Sequence, residues 1–214
     1  VVEGVAAGAL ELAARIAHAL QERGVPNYYG AQRFGTDGDN AARGRSVLLG
    51  QGPKQQWLRR FMLSAYQSGL FNRYLAVRIE RGWFDRLLAG DLAKKTDTGG
   101  LFVVADVAAE QPRYASGAIT FTGPIYGTRM KWAEGEPGAL ERDILAADEI
   151  TADHLKAARL EGSRRPGRIE LADLAVVEHP LGLRLSFGLP AGAYATMVIR
   201  EFTQASTGAL PEED

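Results

Sequence analysis

The sequence predicts a mixed chain of helices and strands, on the strength of three patterns. Apolar residues recur at helical spacing through much of the first eighty positions, strand-sized runs between glycine-rich turns follow, and one segment near the end alternates strictly. With 214 residues, 46% apolar and 24% charged, the chain can bury a real core as one large domain or two modest ones. No apolar run approaches bilayer length, and the N-terminus lacks the basic-then-apolar order of a secretory signal.

The elements follow in order. Leu10, Ala13, Ile16, Ala17 and Leu20 mark an amphipathic helix over residues 9–23, stopped by Gly24 ahead of Pro26. Residues 25–39 hold three glycines and no sustained period, which predicts a long shaped loop. Asp39 or Asn40 then caps a short helix reaching about Leu49. Gly50-Gln51-Gly52-Pro53 punctuates the first half and suggests a domain crossing. From Gln55 to about Arg81 a broad apolar face (Leu58, Phe61, Met62, Ala65, Leu70, Phe71, Tyr74, Leu75, Ile79) predicts a long helix, with Gly69 set for a kink or a close contact. Strands are expected near 101–105 and 118–122, and two short helices within 137–160, the second capped by Thr151. Residues 162–168 read as a basic loop, Leu183–Phe187 as a half-buried strand, and Tyr194 to about Phe202 as a helix. From Ser206 the composition is that of a frayed acidic terminus.

Several chemistries are excluded. Without cysteine there is no disulfide, thiolate metal site or thiol nucleophile. Gly30 and Gly35 have the spacing of a phosphate loop, but no Lys-Ser/Thr follows. Asp37-Gly38-Asp39-Asn40 lacks the rest of a calcium loop, and His18, His154 and His179 lack metal-ligand spacing. No Gly-x-Ser-x-Gly elbow is present.

Charge is uneven beneath a net value of −1. Residues 1–100 carry 14 Lys and Arg against 9 Asp and Glu, whereas residues 101–214 carry 11 against 17. The excess is densest from Arg43 to Arg86, where only Glu80 and Asp85 are acidic. Such a stretch is either a footprint for a phosphate backbone or a solvated helix face.

One loop stands apart. Asn27, Tyr28, Tyr29, Gln32, Arg33 and Phe34 crowd a segment expected at the surface. Rings can stack on an unpaired base, amides can read its edge and a guanidinium can hold phosphate. The same groups would also serve a sugar or a peptide.

The order Asn27-Tyr28-Tyr29-Gly30-Ala31-Gln32-Arg33-Phe34-Gly35 resembles the signature of the TruD family of tRNA pseudouridine synthases. Further blocks agree in sequence: Phe61-Met62-Leu63-Ser64-Ala65 with Leu70-Phe71-Asn72, then Gly90-Asp91 and Gly123-Pro124. Leu189-Pro190-Ala191-Gly192-Ala193-Tyr194-Ala195-Thr196, running into Val198-Ile199-Arg200-Glu201, completes them. The resemblance implies an α+β fold. Residues 1–52 and 182–214 would form part of a pseudouridine synthase catalytic core, a mixed sheet with helices, and residues 53–181 an inserted α+β domain peculiar to the family.

The resemblance also implies chemistry. A uridine in the D arm of tRNA, at position 13, would have its C1′–N1 bond cleaved, its uracil rotated and its C5 joined to the sugar. No cofactor or metal is implied, the partner is tRNA, and the setting is cytoplasmic. Asn27 would hold the nucleotide or the loop bearing the catalytic aspartate, while Tyr29 and Tyr194, where the family commonly has Phe, would line the base pocket. Gln32, Arg33 and Phe34 would serve as scaffold or RNA contact, and Arg59, Arg60, Arg73, Arg164 and Arg165 would meet the RNA backbone. The family's aspartate lies in a Gly-x-Lys-Asp segment upstream of the signature, and nothing from Val1 to Gly24 matches it. The expectation is that this residue lies before Val1 and that the chain alone is inactive. The alternatives are a non-catalytic RNA-binding protein and a protein-interaction module.

Overall fold

A computed structural model describes residues 1–5 and 7–203. The chain opens with β1 (Val2–Glu3), α1 (Ala9–Arg23) and β2 (Val25–Pro26), then a single 3-10 turn (Ala31–Arg33), α2 (Asn40–Leu48) and α3 (Gln56–Glu80). Next come β3 (Leu92–Lys95), β4 (Leu101–Val103), α4 (Val107–Ala115), β5 (Ile119–Ile125), α5 (Gly135–Ala146) and α6 (Ala152–Ala157). It ends with β6 (Ser163–Pro166), β7 (Arg168–Ile169), β8 (Ala172–His179), β9 (Gly182–Gly188) and α7 (Ala195–Thr203). Helices and antiparallel sheets make this an α+β protein, and no described helix is long and apolar enough to cross a membrane. The frayed terminus expected from Ser206 lies outside the described residues.

Packing divides the chain into two compact units. One combines Val1–Asn27 with the segment from Ile169, and the other is Tyr28–Arg168. Compactness and ancestry divide a chain by different criteria, so these limits stand beside, and do not decide, the family-derived division at 52/53 and 181/182.

In the smaller unit the strand order is β1-β9-β8, all antiparallel. The β8–β9 hairpin turns through Pro180 and Leu181, with His179 opposite Gly182 and Val176 opposite Leu185. Helix α1 ends as its sequence predicts: Gly24 takes φ +70° and its N–H donates to the Leu20 carbonyl. Ala17 and Leu20 of α1 bury with Val25, Ile169, Leu174 and Val198.

The larger unit is organised by α3. Its buried face (Met62, Leu63, Tyr66, Leu70, Phe71, Tyr74, Leu75) packs on the four-stranded sheet β4-β3-β5-β6 and on α5. Helix α2 crosses α3 closely because Gly44 has no side chain. A Cβ there would sit 2.1 Å from the Met62 carbonyl oxygen. Gly69 likewise serves packing, since a Cβ on it would meet Ala41 at 3.3 Å.

Among the elements that went unforeseen are β3, α4 and β8. Strand β3, with only four residues and two lysines, has too little pattern to signal itself, yet it lies between β4 and β5. Helix α4 contains Pro112, which a propensity reading takes as a breaker, but Asp106 caps it by accepting from the Ala109 N–H at 3.1 Å. Strand β8 precedes β9 without a clear alternation. The expected basic loop at 162–168 is corrected: β6 pairs there with β5, Arg165 opposite Gly123 and Arg164 opposite Pro124. Arginine side chains disguise the strand because each finds a partner in the fold, as described below.

Two buried ion pairs fix the larger unit, Arg78 with Asp91 and Arg164 with Glu141. Arg78, fully buried, meets both carboxylate oxygens of fully buried Asp91 at 2.7 Å. It also donates to the Trp83 and Arg86 carbonyls and the Tyr74 hydroxyl, and its guanidinium lies 3.8 Å from the Phe121 ring centre. Asp91 additionally accepts from the Leu88 N–H at 2.7 Å. A third cluster ties α2 and α3 to the turn after α5. Asp148 accepts from the Tyr66 hydroxyl at 2.7 Å and Arg73 at 2.8 Å, while Arg45 donates to the Asp148 carbonyl.

Removing one member of a buried pair leaves the other charge stranded. Asp91→Asn should therefore lower the unfolding free energy by about 3–5 kcal/mol, read from urea denaturation; an unchanged midpoint would show that Arg78 is held by its carbonyl partners alone. The Asp148 carboxyl is held below the usual carboxylate range. Burial opposes ionisation there, but the Arg73 and Tyr66 hydrogen bonds and the nearby guanidinium charges outweigh it. A depressed folded value stabilises above the unfolded value of about 3.9 and is lost as pH falls through the folded one. Asp148→Asn should thus melt below the parent at pH 7, and the gap should close as the solution is acidified; a gap constant with pH would contradict the ion pair's role.

Candidate functional site

The signature loop is built by backbone geometry before its side chains matter. Gly30 is extended, the 3-10 turn closes with Arg33 N–H to the Gly30 carbonyl and Phe34 N–H to the Ala31 carbonyl, and Gly35 takes φ +86°. The Asn40 N–H then donates to the Phe34 carbonyl at 3.1 Å, joining the loop to the start of α2. A Cβ at Gly35 would stand 2.5 Å from the Asn40 side-chain nitrogen and displace it, and the positive φ itself favours glycine.

Tyr29 is held at both ends of its peptide. Asn72 of α3 accepts from the Tyr29 N–H and donates to the Tyr29 carbonyl, both at 2.9 Å, as a neighbouring strand would. The Tyr29 ring meets Phe71 edge-on, 5.7 Å between centres at 86°. Arg165 of β6 lays its guanidinium 3.9 Å from the Tyr29 ring centre and 5.4 Å from that of Phe71. This placement depends on Gly123, opposite Arg165 in β5: a Cβ there would meet Phe71 and Tyr74 at 2.8 Å, so glycine lets the sheet lie against α3.

Arg33 approaches the same ring, at 5.8 Å, and is anchored to α3 by donating to Ser68 Oγ at 3.2 Å and to Ser64 Oγ. Hydroxyls orient the guanidinium without neutralising it, and Arg33 has no ion pair among the described residues. Phe34 is half-buried near Gly69, and Gln32 is exposed. The structure thus brings Tyr29, Arg33 and Arg165 into one cluster. Asn27, buried, and Tyr194, half-buried just before α7, belong to the other unit, where the Tyr194 carbonyl accepts from the Met197 N–H.

The remaining arginines differ sharply. Arg164, with a side chain only 2% exposed, pairs with fully buried Glu141 at 2.7 Å and donates to Thr122 and the Lys131 carbonyl. Its donors are taken up inside the fold, which removes the physical basis for placing it on the RNA backbone. Arg73 is exposed but tied to Asp148. Arg59 is half-buried and Arg60 exposed on the first turns of α3. Reasoning from sequence missed Asn72, Ser64 and Ser68 as the residues that shape the loop. Ser64 and Asn72 lie within the Phe61–Ala65 and Leu70–Asn72 blocks and Ser68 between them, and the blocks read as family markers and not as partners of the loop.

Chemically the cluster combines rings, hydroxyls and two guanidiniums gathered against α3. It suits a planar polar ring carrying an anion, and the named set contains no carboxylate that could make or break a bond.

Comparison with known proteins starts from the fold. A Methanosarcina mazei protein assigned as tRNA pseudouridine synthase D has a crystal structure that superposes with a TM-score of 0.79 over 93% of this chain and 65% of its own, at 21% identity. That likeness concerns the α+β architecture alone. The sequence model of tRNA pseudouridine synthase D (TruD) matches residues 53–202, and the chain belongs to the TruD family. Curated relatives named tRNA pseudouridine synthase D include one from Anaeromyxobacter dehalogenans, 45% identical over 98% of this chain and 62% of its own length. Another, from Thermus thermophilus, is 46% identical over 85% of this chain and 51% of its own. The chain therefore spans about three-fifths of the length of the first of these relatives and about half that of the second.

If Asn72 is what positions Tyr29, Asn72→Ala should remove two hydrogen bonds from the Tyr29 peptide at a cost of about 1–3 kcal/mol. Amide exchange at Tyr29 should then accelerate well before that of the α3 core, and equal protection in parent and variant would rule the clasp out.

Proposed function

We propose that residues 1–214 form part of a tRNA pseudouridine synthase acting on a D-arm uridine, at position 13. The observation that carries the proposal is the Tyr29 cluster: a family-signature ring clasped by Asn72, braced by Phe71, and flanked by Arg33 and Arg165. In this reading Tyr29, with Asn27 and Tyr194, contributes to holding the target nucleotide. Arg33 and Arg165 face its phosphates, with Gln32 and Phe34 completing the loop. Residues 1–52 and 182–214 belong to the catalytic domain and residues 53–181 to the insertion.

The reaction is an isomerisation. The C1′–N1 bond breaks, the uracil turns in place, C1′–C5 forms, and the C5 proton is lost as N1 gains one. Atoms and electrons balance without a redox partner. The base must leave its stack for this to happen, which a stacking ring and a fixed positive field would favour. The carboxylate that starts the chemistry, as nucleophile or as base, belongs to the Gly-x-Lys-Asp segment that residues 1–24 do not match. Asp91 is no substitute, since Arg78 and the Leu88 amide occupy it. Among the backbone-contact arginines, the reading retains Arg59, Arg60 and Arg165, leaves Arg73 a secondary part through its Asp148 ion pair, and drops Arg164.

The test uses the whole polypeptide that contains these residues, with unmodified tRNA and a chelator. Pseudouridine should appear at a single D-arm position, and Tyr29→Ala should lower kcat/KM by about tenfold or more, with Tyr29→Phe close to the parent. Binding of tRNA with no pseudouridine formed would overturn the catalytic reading in favour of an RNA-binding protein.

A further inference from the structure

Helix α3 presents one long face that continues past the Tyr29 cluster. Trp57, Phe61, Ser64, Ser68 and Asn72 follow one another at spacings of three and four, with Arg60 three residues after Trp57, so they share a side of the helix. The C-terminal part of this face is covered: Ser64 and Ser68 hold Arg33, and Asn72 holds Tyr29. The N-terminal part is bare. Trp57 is 70% exposed and Phe61 40% exposed, an unusual state for two large rings four residues apart.

The charge around them is equally uneven. No Asp or Glu occurs between Asp39 and Glu80. Of the cations in that interval, Arg43, Arg45, Arg73 and Arg78 are matched by Asp39, Glu149, Asp148 and Asp91. Lys54, Arg59 and Arg60 have no ion pair among the described residues, and they bracket Trp57. A partner that covered the rings with apolar protein surface would crowd these like charges together without neutralising them. One that carries its own negative charge beside a flat ring would satisfy both.

We propose that the first two turns of α3 form a second RNA contact, where Trp57 and Phe61 stack an unpaired base and Arg60, with Lys54 and Arg59, holds the adjoining phosphates. Stacking tolerates any base because each offers a π face, while the cations fix the strand by counterion release. Phe61 and Asn72 are separated by about 16 Å of helix axis at 1.5 Å per residue, close enough for one RNA strand to reach both platform and Tyr29 cluster. The platform is then a docking point outside the nucleotide pocket and governs how tightly tRNA is held, not the bond-making step. The inference rests on the RNA-modifying reading for its choice of ligand.

The whole polypeptide should be titrated with unmodified tRNA and with an unstructured ten-nucleotide oligouridylate over a range of salt. Trp57→Ala should weaken both by about fivefold or more, Trp57→Phe should recover most of the loss, and kcat at saturating tRNA should be unchanged. Arg60→Gln should flatten the log–log salt slope of oligouridylate binding by about 0.7. Trp57→Ala binding within twofold of the parent, with an unaltered slope for Arg60→Gln, would overturn the platform. So would a Trp57→Ala variant that melts several degrees lower while both RNA affinities hold, because the rings would then seat polypeptide. Loss of RNA binding on Trp57→Ala in a parent that forms no pseudouridine would sink the catalytic reading and leave the platform standing. Full modification with Trp57→Ala unaffected would do the reverse.

Discussion

Helix α3 has to satisfy two environments along its 25 residues, and the larger unit is arranged around that demand. One side is buried under the sheet, α2 and α5, where Tyr74, Leu75 and Phe71 are fully enclosed. The other side must carry polar groups that shape a loop. Asn72 and Phe71 are adjacent in sequence but serve these two sides: the amide clasps Tyr29, and the ring packs between the core and Tyr29. A helix is the only element that can hold both registers over such a length, because its backbone bonds are closed internally and ask nothing of either neighbour. The clasp then fixes Tyr29 by its peptide, which leaves the ring's position to packing and to Arg165.

The elements that were legible in the sequence are those whose period ran long enough to be counted. Helices α1 and α3 and strand β9 announced themselves through apolar spacing, and α6 through the Thr151 cap, whose capping box with His154 is present. Strand β6 was illegible for a physical reason. Arg164 and Arg165 look like surface charge, but Glu141 and Thr122 satisfy one and the Tyr29 ring faces the other. Neither partner is near in sequence, so no local pattern could reveal the strand. Strand β3 and helix α4 were hidden for the opposite reason, since one is too short to show a period and the other keeps its form despite Pro112.

The candidate site was legible as composition and not as geometry. Crowded amides, rings and a guanidinium in Asn27–Phe34 pointed to recognition of a planar polar group, and the resemblance narrowed that to a nucleotide. The supporting residues were not deduced, although Asn72, Ser64 and Ser68 sat within or beside the blocks already singled out. A hydrogen bond between a loop and a helix some forty positions away leaves no period to detect. Only the fold brings the two together.

Charge required the largest revision. The window from Arg43 to Arg86 left a phosphate footprint and a solvated helix face both open, but several arginines of this chain serve as internal cross-links. Arg78 joins α3 to Asp91 and two carbonyls, Arg164 joins β6 to Glu141, and Arg45 and Arg73 converge on the 148–149 turn. The planar fork suits that work, since one guanidinium can satisfy several carbonyls and a carboxylate at once. A buried arginine contributes nothing to counterion release, so the sequence total overstates the electrostatic reach of the surface. Among the described residues, the cations without an ion pair include Arg33 within the loop cluster and Lys54, Arg59 and Arg60 around the start of α3. Arg33 is anchored to α3 through Ser64 and Ser68, and the second group surrounds the start of the same helix, which makes the orientation of α3, more than net charge, the quantity that decides where a polyanion can settle.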